Sequence, residues 1–388
     1  MEQFSYASIL LIGQKFLSMN ELNLIIAVIS FLVISLGLIK NYIKRSILSE
    51  PLISLVIGIL IGPLVFGFAD PFTWEKSSEI LHESTRYTLA LAIMASALRL
   101  PADYIQKHAR PFAIVLLGGM VLMLILASSF YYLFGIGFWE SILLGAILMP
   151  TDPVLATTIV SSSYANENIP QRLRNMITAE SASNDGLAYL FVLLPIYILE
   201  AGEHTLSNWF TDVLLWKILM AIVLGMLIGY AAGWAFRYFR KRDAMEPKTL
   251  LAFTLALTFF IDTSFSLIQM NGLIGIFAAG IVFQTLVGKK NEVRHEQVQS
   301  MIERIFVVPV FVLLGTMLPL AGWLEMPVYF WVITPFVIFL RRVPTWFILK
   351  PAIRIFSWKD SFFAGWFGPV GVAALFYYYF INGEVSGA

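Results

Sequence analysis

Apolar runs close to twenty residues long follow one another from residue 23 to residue 381, with only short polar stretches between them. About twenty residues is the length of helix that crosses the hydrocarbon of a bilayer. In lipid every backbone polar group must be satisfied inside the protein, so such runs read as helices. The composition agrees, with 59% of residues hydrophobic and 13% charged, where soluble domains carry about a quarter charged residues. The chain reads as an all-α polytopic membrane protein.

The predicted spans lie at 23–39, 51–68, 84–100, 111–134, 138–163, 172–199, 207–236, 248–268, 271–288, 299–321, 327–350 and 360–381, about twelve transmembrane helices. The longest polar connector, Arg237 to Lys248, is about a dozen residues. The expectation is one membrane domain over 1–388 with no soluble regulatory domain. Loops after the odd-numbered spans hold 19 of the 26 lysines and arginines, among them Lys40, Arg110, Arg172, Arg240 and Lys350. By the positive-inside rule these loops are cytoplasmic and the N-terminus lies outside. The net charge of +1 offers no bulk attraction to nucleic acid, and the absence of cysteine excludes disulfides and thiolate metal sites. The first residues show no cleaved leader pattern, so none is expected. His82, His108, His204 and His295 all fall in loops, leaving carboxylates to carry any proton within the membrane.

Charge inside a span is expensive and marks function. The sixth span, "NMITAESASNDGLAYLFVLLPIYIL", holds Glu180 and Asp185 at its centre. Ser181 and Asp185 are one helical turn apart, as are Glu180 and Asn184, so both pairs lie on one broad face. Carboxylate, hydroxyl and amide oxygens suit hard cations. Burial penalises the charged carboxylate, so a proton and a cation would compete for it. Ser181 and Ser183 alone would fit a simple helix contact; Asp185 would not. The eighth span adds Asp262.

In the fifth span, "AILMPTDPVLATTIV" sets Thr151 and Asp152 before Pro153, which opens a helix and biases its predecessor out of helical angles. Freed backbone groups at that depth are tolerable where they line a polar cavity or bind an ion. The twelfth span carries "GWFGPVGVAAL", where Gly365, Gly368, Pro369 and Gly371 make a second break. The two breaks run in opposite directions through the membrane, the arrangement of a transporter site built from inverted repeats. Arg341 and Arg342 in the eleventh span could neutralise Glu180 or the freed carbonyls, or could both reach to the cytoplasmic face.

These residues resemble the monovalent cation/proton antiporters, in the sodium/proton exchanger branch (NhaP/NHE type). The likeness covers nearly the whole chain: "EPLISLVIGILIGP", "ALRLP", "TDP", "ESASNDG", "NGLIGIFAAGIV", "FVLLGTMLP", an arginine before "VPTW", and "GPVGVAALFY", in that order. TDP followed by E-S-x-x-N-D is the specific part. The resemblance implies discontinuous helices 5 and 12 crossing at mid-membrane. It implies core helices at about 84–199 and 299–388 and scaffold helices at about 23–68 and 207–288, the latter forming a homodimer. It implies exchange of Na⁺, or of K⁺ or Li⁺, for H⁺ by alternating access at a plasma (inner) membrane, without a cofactor or nucleic acid, and with lipid as surroundings. Asp185 would bind cation and proton in turn, with Thr151, Asp152 and Ser181 as oxygen donors to the cation. Asn184 before Asp185 looks like the electroneutral subgroup, and Glu180 would pair with Arg342 in preference to Arg341. Family members carry a further helix after the G-P-x-G segment, so a last helix is expected to be missing. The competing readings are a non-transporting sensor or assembly protein that keeps the fold, and an intramembrane enzyme, which lacks its flanking motifs.

Overall fold

A computed structural model describes residues 23–39, 43, 49–74, 77–160, 163–199, 205–242, 249–287 and 303–387. Its main helices are α1 (Asn23–Leu38), α2 (Glu50–Ile61), α3 (Ser77–Arg99), α4 (Ala109–Leu133), α5 (Phe138–Leu148), α6 (Pro153–Val160) and α7 (Gln171–Leu199). There follow α8 (Leu206–Lys241), α9 (Thr249–Leu267), α10 (Gly272–Val287), α11 (Val308–Thr316), α12 (Val328–Leu349), α13 (Trp358–Trp366) and α14 (Val372–Gly387). Among the described residues there is no strand. Within those residues six helical stretches are long and apolar enough to cross a membrane, and five shorter apolar helices accompany them. The chain is an all-helical, multi-pass membrane protein.

Helices lie along the predicted spans, with revisions that have local causes. The second span stops at Ile61 because Gly62 leaves helical angles (φ −69°, ψ 176°) ahead of Pro63, the backbone state that a following proline imposes. The apolar residues Leu64, Val65, Phe66 and Phe68 beyond it are exposed and lie outside the helix. The fifth span divides into α5 and α6, and the twelfth into α13 and α14. Positions 299–302 of the tenth span lie outside the described residues.

The chain forms two compact units, one of residues 1–84 with 302–327 and one of 85–301 with 328–388. In the first, α2 packs on α11 through glycine: a Cβ on Gly58 would fall 2.9 Å from the Cα of Gly315. Helices of 207–288 share the second unit with α4 to α7. There Gly225, Gly229 and Gly233 line one face of α8 and press against Gly275, Ala279 and Leu286 of α10. Without a hydrophobic drive between helices in lipid, such backbone approach supplies much of the packing energy.

α7 is the centre of the second unit. Every residue from Met176 to Gly186 is buried, so that stretch is surrounded by protein on all sides rather than by lipid. It packs against α5, α6, α10 and α14. The cost of its carboxylates is thereby moved from hydrocarbon to a polar protein interior.

The α8–α10 contact makes a direct prediction. A Cβ on Gly229 would sit 2.6 Å from the Cα of Ala279, and backbone cannot yield as a side chain does. Gly229→Leu should cost about 1–3 kcal/mol and lower the melting temperature in detergent. Gly322→Leu, at a position with nothing within 4 Å, should leave it unchanged.

Candidate ion site

The two helix breaks meet at Asp152. Pro153 starts α6 in the position where its missing N–H is no loss. Asp152 caps that helix: its Oδ1 accepts the N–H groups of Val154 (2.6 Å) and Leu155 (3.3 Å). Its Oδ2 accepts the N–H of Val372, the first residue of α14. The Asp152 N–H donates to the carbonyl of Pro369 at 3.0 Å. One carboxylate therefore closes the N-termini of two helices from different breaks.

Arg341 does the converse at the C-terminal ends. Its Nη1 donates to the carbonyl of Met149, just past α5 (2.9 Å), and its Nη2 to that of Gly368, just past α13 (3.0 Å). A cation at helix C-termini and an anion at N-termini both complement the backbone dipoles. The glycines make room: a Cβ on Gly371 would meet the Asp152 carboxylate, and one on Gly368 would meet the Arg342 side chain.

Arg341 and Arg342 are 0% and 1% exposed, so neither reaches to a membrane face. Arg342 holds Glu180 through two parallel bonds, Nη1 to Oε1 at 2.6 Å and Nη2 to Oε2 at 2.8 Å, the strongest geometry for such a pair. Its Nε donates to the carbonyl of Ala364 at 2.9 Å, tying α12 to α13 as well as to α7.

On α7, Asn184 turns to the first break. Its Nδ2 donates to the Thr151 hydroxyl at 2.8 Å, and its Oδ1 accepts the Thr151 N–H at 3.3 Å. The Ser181 hydroxyl donates to the carbonyl of Ile177 at 2.7 Å, which leaves its oxygen lone pairs available. Asp185 differs from every charged neighbour. It is fully buried, and among the described residues neither of its carboxylate oxygens has a hydrogen-bond partner. Asp152 lies near enough for the two charges to interact. An isolated buried carboxylate is costly until a proton or a cation joins it. Among the described residues there is no cluster of three histidine or acidic side chains.

The structure thus brings together Thr151, Asp152, Asn184, Arg341, Gly368, Pro369 and Gly371, and separately pairs Glu180 with Arg342. Other contacts carried no recognisable signal in the sequence. Tyr377 of α14 donates its hydroxyl to the backbone carbonyl of Asp185. Asn271, before α10, donates to the carbonyl of Gly186 (2.9 Å) and accepts the Ile274 N–H (3.1 Å); its place ahead of an apolar run marks only a helix cap. Asp262 pairs with Arg86 at 2.8 Å, and that guanidinium also donates to Ser266 at 2.9 Å.

The model of the family described as "Sodium/hydrogen exchanger, transmembrane" matches residues 24–384. The chain belongs to that family. It is 29% identical over 362 residues to the Na(+)/H(+) antiporter of Saccharomyces cerevisiae, covering 90% of this chain and 37% of that one. It is 30% identical over 352 residues to Na(+)/H(+) antiporter 2 of Zygosaccharomyces rouxii, covering 88% of this chain and 43% of the relative. The chain spans about two fifths of the length of those curated relatives. The sodium proton antiporter MjNhaP1 of Methanocaldococcus jannaschii has the same fold, with a TM-score of 0.70 at 17% identity over 95% of this chain and 88% of that one.

In this family member the two kinds of buried carboxylate should respond to neutralisation with opposite signs. Glu180→Gln strands the Arg342 charge and should cost about 3–5 kcal/mol, seen as a lower melting temperature in detergent. Adding Arg342→Met should recover most of that loss. Asp185→Asn removes an unpartnered charge and should melt no lower than the native protein in the absence of cations.

Proposed function

We propose that this chain is the transport unit of an antiporter that exchanges Na⁺, or its congeners Li⁺ and K⁺, for H⁺ by alternating access. The observation that carries this reading is Asp185, a buried carboxylate without a hydrogen-bond partner among the described residues, beside the meeting point of two helix breaks. Family membership supports it, and so does the likeness to the Na(+)/H(+) antiporters of the two yeasts.

Asp185 holds a proton when facing one side and a cation when facing the other. Thr151, Asp152 and Ser181 supply further oxygens to the cation, directly or through water, and Asn184 holds Thr151 in place. Both backbone ends at the breaks are already neutralised by Asp152 and Arg341, and Glu180 is neutralised by Arg342. One carboxylate remains to be loaded, so one cation replaces one proton and exchange is electroneutral. Transport of this kind requires no cofactor. A sensor or assembly protein would have no use for an unpartnered buried carboxylate, which disfavours that reading.

The same proposal places the basic loops on the cytoplasmic side of a plasma membrane. It takes the helices at 84–199 and 299–388 as the ion-carrying core, with those at 23–68 and 207–288 as scaffold and homodimer face.

Proteoliposomes holding the native protein should show Na⁺-dependent proton movement whose rate is unchanged by an imposed membrane potential. Asp185→Asn should reduce it to the level of empty liposomes. Exchange at the native rate in that variant would remove Asp185 from the mechanism.

A further inference from the structure

α14 is tied to the ion site at two points. Its first N–H, that of Val372, donates to Asp152. Further along, Tyr377 is fully buried, and its O–H donates to the backbone carbonyl of Asp185. In a regular helix that carbonyl accepts the N–H of the residue four positions on, here Tyr189. The Tyr189 N–H donates to the same phenol oxygen. The Tyr377 hydroxyl therefore abuts the backbone of α7 at the turn that carries Asp185. The Tyr189 ring packs on Phe380 (5.0 Å between centroids) and beside Tyr377 (6.5 Å), which holds the phenol at this place.

We propose that Tyr377 is a positioning residue for Asp185, its hydroxyl setting the α7 turn and so the oxygen geometry offered to the cation. The inference rests on the antiport reading. Among the described residues no hydrogen bond orients the Asp185 carboxylate, so the backbone beneath it sets where its oxygens lie. A cation needs several oxygens converging at one radius, whereas a proton needs one oxygen. Loss of the hydroxyl therefore weakens cation binding and spares proton binding. The α7 helix is continuous through this turn, so its own backbone ladder holds the fold when the hydroxyl is lost.

The test is Tyr377→Phe in proteoliposomes, with KM for Na⁺, the pH of half-maximal rate at Na⁺ far below KM (where it reports the proton affinity alone) and the melting temperature all measured. The expected result is a KM raised about fivefold, the equivalent of one hydrogen bond of about 1 kcal/mol. The pH of half-maximal rate should be unchanged and the melting temperature no lower than native. A KM within twofold of native overturns the proposal. So does a parallel shift of KM and the pH of half-maximal rate, or a fall in melting temperature and maximal rate at constant KM. Should the phenylalanine variant fail to fold, 3-fluorotyrosine at 377 keeps the ring and strengthens the donor. A shifted KM for Na⁺ is expected there, and a native KM overturns the proposal. Absence of exchange in the native protein would sink the antiport reading instead.

Discussion

Breaking two helices inside a membrane leaves amides and carbonyls that lipid cannot satisfy, and the candidate ion site is organised around the groups that satisfy them. Asp152 takes the N–H groups of Val154, Leu155 and Val372, and Arg341 takes the carbonyls of Met149 and Gly368. Each breaks no rule alone, since anions favour helix N-termini and cations favour C-termini. Together they join two helices from opposite ends of the second unit's chain into one polar junction. Removal of either would expose several unsatisfied groups at once.

That junction determines what remains for chemistry. With Asp152 and Arg341 occupied by backbone and Glu180 by Arg342, the charged groups around the breaks are accounted for except Asp185. The buried ion pair is a structural element rather than a source of much net stability, because desolvation offsets most of its attraction. Its service is to join α7 to α12 while leaving the carboxylate one turn further along unpartnered. The division between a held carboxylate and a loadable one is thus a matter of which partner each can reach.

Much of this was legible in the sequence because membranes make polar residues conspicuous. Thr151, Asp152, Pro153, Glu180, Asn184, Asp185 and the glycines around Pro369 stood out against apolar runs, and proline marked where helices must open. The family resemblance favoured Arg342 as the partner of Glu180, which the structure shows; that Arg341 alone spans the carbonyls of both breaks was left open, since neighbouring helix positions point in different directions and only tertiary packing tells what each meets. Tyr377 was hidden for another reason: an aromatic residue in an apolar helix is ordinary, and its hydroxyl acts on backbone, which leaves no pattern of side chains. Asp262 was visible as a buried charge, but its partner Arg86 lies far away in sequence near the start of a span. The early end of α2 came from Gly62 and Pro63, overridden in the reading by the apolar residues that follow.

The central claim is that one carboxylate, Asp185, takes either a cation or a proton. Equilibrium binding of Na⁺ to the purified protein, followed by calorimetry in buffers of different protonation enthalpy across a pH series, tests it most directly. One proton should be released per Na⁺ bound where the site is protonated, with Kd rising tenfold for each unit fall in pH, and Asp185→Asn should bind no Na⁺. A Kd independent of pH, with no proton released, would contradict it.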